Sequence, residues 1–114
     1  MRTLENTKLT QKEHESVLEA ARVLKSELPV SRVVLFGSKA RGTGDVYSDI
    51  DLLVLTSCPV TALLRERVSE LLAEINLEND VTLSSIVVSQ QEWSDGLIHH
   101  MLIFSEVERE GCEV

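Results

Sequence analysis

The chain has 114 residues, 43% hydrophobic and 26% charged, which suits one soluble globular domain spanning residues 1–114 with a modest core and leaves no room for two. Its formal net charge of −8, from 19 acidic and 11 basic side chains, repels a phosphate backbone, and Lys39 with Arg41 is too small a basic patch to hold a polynucleotide, though it suffices for a nucleotide. The polar opening from Met1 to Thr10 is not of signal-peptide type, no run approaches the roughly 18 apolar residues of a membrane span, and Cys58 and Cys112 stand at no redox or metal spacing, so the expectation is a cytoplasmic protein with free thiols.

In chain order, Thr10-Gln11-Lys12-Glu13 has the form of a capping box, and Val17, Leu18, Ala21, Leu24 and Leu28 follow at helical spacing before Pro29. This predicts an amphipathic helix over about 11–27. Arg32 to Phe36 is β-branched and apolar and reads as a buried strand. The next stretch, 37–44, carries three glycines and reads as a loop with room for one helical turn after Ser38. Ser48 to Leu55 is a second strand. Thr61 to Leu77 places Leu64, Val68, Leu71, Leu72 and Ile75 on one stripe and predicts a second long helix. Val81 to Val88 is a third strand, and Ser89 to Glu92 repeats the capping-box form ahead of a short helix around Trp93. Ile98 to Glu110 predicts a final helix stopped by Gly111. The fold class is α/β (α+β), a small sheet with helices packed on it. The sheet should be mixed in direction, because the link over 37–47 is too short and glycine-rich for a helical crossover.

The stretch FGSKARGTGDVYSDIDLLV, from Phe36 to Val54, carries the chemistry. Alternation along a strand turns Asp49 and Asp51 to one face with origins about 7 Å apart, where two carboxylates can converge on a hard cation such as Mg²⁺ that also takes phosphate oxygens. Ile50, Leu52 and Val54 share the other face and can be wholly buried. Gly37 lets a phosphate approach the backbone, Ser38 offers a hydroxyl and an amide, and a helical turn there would favour an anion. Lys39 and Arg41 lie in the same loop and could neutralise a triphosphate. His14, His99 and His100 have no partner at metal spacing, Trp93 is better read as packing over the sheet than as stacking a base, and the acids between Glu106 and Glu113 read as a solvated helix face.

Gly37-Ser38, ten residues, then Asp49-Ile50-Asp51 resembles the Gly-Ser-x10-Asp-x-Asp signature of the polymerase-β-like nucleotidyltransferases, and the added Ala40-Arg41-Gly42 is similar to the minimal nucleotidyltransferase branch. The resemblance implies a palm-like nucleotidyltransferase fold and transfer of a nucleoside monophosphate from a Mg²⁺-nucleoside triphosphate, ATP favoured, to an acceptor hydroxyl. In it Asp49 and Asp51 hold the metal, Gly37 and Ser38 cradle the triphosphate, and Lys39 and Arg41 are its candidate cationic contacts. The family usually carries a third acid on the next strand. Here the matching triplet is Val81-Thr82-Leu83, with Thr82 in the acidic position and Asp80 two residues earlier, a distant candidate metal ligand.

The chain holds a catalytic core without length for a separate acceptor domain, so the acceptor site is expected from another polypeptide or another copy of the chain. The branch implies a small helical partner of the HEPN type, with the nucleotidyltransferase acting as antitoxin by adenylylating the partner's tyrosine. Two alternatives stand beside this. One is an antitoxin that neutralises its partner by contact after losing turnover, which Thr82 favours; the other is nucleotide transfer to a small molecule.

Overall fold

The computed structural model describes residues 3–4, 7–45 and 47–114. The first helix, α1 (Gln11–Glu27), starts on a complete capping box: the Glu13 amide donates to Thr10 Oγ1, and the Glu13 carboxylate accepts from the Thr10 amide. Strand β1 (Val30–Phe36) leads into a short helix α2 (Gly37–Arg41), and β2 (Ile50–Thr56) returns antiparallel to β1. Helix α3 (Ala62–Asn79), capped by Thr61, crosses back to β3 (Leu83–Ser89), which runs parallel to β2. Behind it come α4 (Gln90–Asp95), a 3₁₀ turn (Leu97–His100), α5 (Leu102–Glu110) and a two-residue strand β4 (Cys112–Glu113) antiparallel to β1. The sheet order is β3-β2-β1-β4, mixed in direction as the short 37–47 link requires.

Alternation along the strands divides the core into two layers. One sheet face presents Val33, Leu35, Ile50, Leu52, Val54, Leu83 and Val87 to the apolar stripes of α1 and α3, where Val17, Leu24 and Val68 are fully buried. The opposite face presents Val34, Phe36, Leu53, Leu55 and Val88 to Trp93 of α4 and Val107 of α5. Trp93 is buried and meets Phe104 with ring centroids 4.8 Å apart, so it packs over the sheet. Asp51 shares this second face with Leu53 and Leu55 by alternation and is half-buried.

Several bounds differ from the sequence expectation, each for a local reason. Helical structure begins at Gly37, one residue before Ser38. Strand β2 starts at Ile50 because Asp45 and Ser48 close a turn: the Asp45 amide donates to Ser48 Oγ, and the Tyr47 amide to Asp45 Oδ1. The expected helix over 98–110 is interrupted at Met101, whose ψ of 154° is extended, and only 102–110 is α-helical. Cys58 and Cys112 are not joined by a disulfide. Among the described residues, no helix is long and apolar enough to cross a membrane.

Candidate active site

The site forms where β1 ends and β2 begins, because their antiparallel register sets Phe36 opposite Asp51 and so brings the following glycine onto that carboxylate. Gly37 has φ +78°, a left-handed conformation that side chains disfavour, and a Cβ placed on it would lie 2.6 Å from Asp51 Oδ2. Only glycine lets the backbone bend this close. Helix α2 starts on that bend without a side-chain cap and ends at Gly42, also left-handed, whose amide donates to the Ser38 carbonyl. The same carbonyl accepts from Thr43 and Gly44, curling the loop back so that Ser38 Oγ and Ser48 Oγ both lie against Gly44.

Asp51 is half-buried and Asp49 exposed, just ahead of β2. Ser84 Oγ donates to Asp51 Oδ1 at 2.7 Å from the neighbouring strand. Sequence reasoning missed Ser84. The signal was available in principle, since Ser84 lies two residues beyond Thr82 on the same strand face, but it needs the β2–β3 register to be recognised. Thr82 lies beside the start of β2, where its carbonyl accepts the Ile50 amide at 2.8 Å. Asp80 is the C-cap of α3 with φ +53°, and its fully exposed carboxylate lies 3.9 Å from Lys12.

The two loop cations are engaged elsewhere in the fold. Lys39 is buried, with Nζ 2.8 Å from Glu13 Oε2 and donating to the Asp45 carbonyl at 2.8 Å. Burial alone would raise the Glu13 pKa, but hydrogen bonds from Lys39 and Thr10 hold it below the usual value. Lys39 thereby ties the first turn of α1 to the loop that leads into Asp49. Arg41 NH1 reaches Glu106 at 2.9 Å and Glu110 at 3.2 Å, so these two acids dock α5 on α2. The hydrogen bond to Glu110, opposed by burial and reinforced by Glu106, raises the Arg41 pKa.

Among known proteins, the sequence matches the family described as the nucleotidyltransferase domain over residues 17–100. It is 32% identical over 92 residues to a chain of Methanocaldococcus jannaschii that bears the name of a protein adenylyltransferase, covering 81% of this chain and 84% of the relative. In three dimensions it is similar to a toxin–antitoxin crystal structure with AMP-PNP, at a TM-score of 0.57 and 18% identity, covering 91% of this chain and 72% of that one. A second solved structure, a tri-AMPylated Shewanella oneidensis HEPN toxin in complex with an MNT antitoxin, matches at a TM-score of 0.53 and 19% identity, covering 87% and 68%. The structural likeness shows a shared fold; with the sequence match across most of its length, this chain belongs to the nucleotidyltransferase domain family.

Proposed function

We propose that the chain transfers AMP from Mg²⁺-bound ATP to a hydroxyl of a protein partner, a tyrosine on a HEPN-type helical toxin, and so acts as its antitoxin. The observation that carries this reading is the close approach of Asp51 Oδ2 to the Gly37 bend, which sets a carboxylate able to hold a cation beside backbone that no side chain covers. The adenylyltransferase name of the relative and the AMP-modified toxin in the solved neighbour support the choice of reaction and partner.

The donor set fits a hard divalent cation: Asp51 on β2 and Asp49 just ahead of it offer two carboxylates near a bend that carries no Cβ. Asp49 and Asp51 would hold the Mg²⁺, which when bound neutralises charge on the triphosphate. Gly37 and Ser38 position the phosphates so that the acceptor oxygen lies in line with the α-phosphorus. The acceptor oxygen bonds to that phosphorus, the bond to the bridging oxygen breaks, and pyrophosphate leaves with the electron pair while the acceptor proton passes to solvent. Arg41 pairs at a half-exposed position and can exchange a carboxylate for a phosphate; we assign Lys39 to holding the loop.

Incubation with ATP, Mg²⁺ and a candidate partner, read by intact mass, tests the reaction. The expected result is an AMP-sized increment on the partner that falls by at least about a hundredfold in Asp49→Asn and Asp51→Asn. Unmodified partner would sink it. A second reading, neutralisation by contact alone, is favoured by the neutral Thr82; it predicts that neutralisation survives both substitutions.

A further inference from the structure

Beyond the reaction just proposed, and resting on that reading of the site, the structure bears on how many cations the site can hold. In the parallel register of β2 and β3, Ser84 lies beside Asp51, and the bond from the Ile50 amide to the Thr82 carbonyl sets Thr82 beside the start of β2. Within β3, alternation sets Ser84 and Ile86 on the face of Asp51 and Leu53, and Thr82 stands just ahead of the strand. Two hydroxyls and an alkyl chain bring no negative charge. Asp80 stands at the α3 C-cap with a fully exposed carboxylate near Lys12. Among the described residues, no group of three or more His, Cys, Asp or Glu side chains is arranged to hold a metal.

The two oxygens of Asp51 are also unequal. Oδ1 accepts the Ser84 hydroxyl at 2.7 Å, whereas Oδ2 lies against the Gly37 bend. A pair of cations about 3.5–4 Å apart needs carboxylates that bridge them and enough negative charge to hold both. This site offers two acids, one of them with an oxygen already committed to a hydroxyl. We infer that it holds a single divalent cation per bound nucleotide, through Asp49 and Asp51 Oδ2, and that Ser84 is a positioning residue selecting which oxygen of Asp51 faces the phosphate.

Equilibrium dialysis of the whole chain against Mn²⁺ and α,β-methylene-ATP, whose α–β link resists cleavage, counts the retained ions per retained nucleotide. Uptake by a doubly substituted Asp49→Asn, Asp51→Asn chain is subtracted to remove binding to the acidic surface. One Mn²⁺ per nucleotide is expected, rising to two in Thr82→Asp. Two in the unsubstituted chain would overturn the inference, and a count that stays at one in Thr82→Asp would overturn the assignment of the limit to that residue. Absence of any Mn²⁺-dependent nucleotide retention would instead sink the nucleotidyl-transfer reading itself. Ser84→Ala is expected to weaken Mn²⁺ retention about tenfold, with Ser84→Thr restoring it, both judged on chains whose thermal unfolding is unchanged. Equal Mn²⁺ affinity in Ser84→Ala would remove Ser84 from the role.

Discussion

At Gly37 two demands meet in one residue, a left-handed backbone and the absence of a Cβ beside Asp51. Gly37→Ala should cost about 1–2 kcal/mol in backbone strain and push Asp51 aside. The expected outcome is a folded chain, melting a few degrees lower, that no longer retains nucleotide in dialysis; full retention would contradict the cradle. The Glu13–Lys39 pair makes a different prediction. The Glu13 pKa in the folded chain lies below its ordinary 4.5, so the pair's contribution is complete above that value and is lost as acidification carries the pH through the lower, folded one. Glu13→Ala should destabilise the chain by about 3 kcal/mol, because it strands a buried ammonium, and should flatten the acid limb of a stability-against-pH profile. The paired role of Lys39 was not legible in the sequence, since its carboxylate partner sits in another element and no local spacing links them. The Gly-Ser and Asp-x-Asp elements were legible because residue type and spacing both reflect one strand–bend–strand geometry.

Among the elements, the long helices were read closely because caps and apolar stripes are local signals: α1 occupies the expected span, and α3 begins after its Thr61 cap. The break before α5 was hidden. Ile103, Phe104 and Val107 keep a helical stripe, neither Gly nor Pro stands over 97–110 to mark the interruption, and the packing of the His99 ring on Phe104, centroids 4.2 Å apart, has no signal of its own in the sequence. Strand β3 depends on a link of similar range. Asn76 of α3 takes the Leu83 amide on Oδ1 at 2.8 Å and gives Nδ2 to the Leu83 carbonyl, pinning the strand at the point where it meets β2. Asn76→Ala should cost about 2–3 kcal/mol by leaving these groups unpaired. Amide exchange should quicken at Leu83 and Ser84 while α1 keeps its protection; uniform exchange across the chain would count against a local pin.

Across the whole molecule, three layers bury one sheet between α1 and α3 on one side and α4 and α5 on the other. Mixed strand direction was legible from the short link after β1, whereas β4 was not, because two residues carry no periodic pattern. Those two residues hold more than their length suggests. Glu113 makes a forked contact to Arg32 at 2.7 Å, the Val114 amide donates to the Val33 carbonyl, and the Val114 carbonyl accepts from Lys25. Without this clasp, β1 would become an open ladder of unsatisfied amides and carbonyls flanked by Val33, Val34 and Leu35, a template for stranger chains. A truncation ending at Gly111 should therefore self-associate in sedimentation at concentrations where the intact chain does not, and Lys or Pro placed on the outer edge of β1 should suppress the clumping. The tail thus serves as a hem that keeps the sheet from being extended by its neighbours.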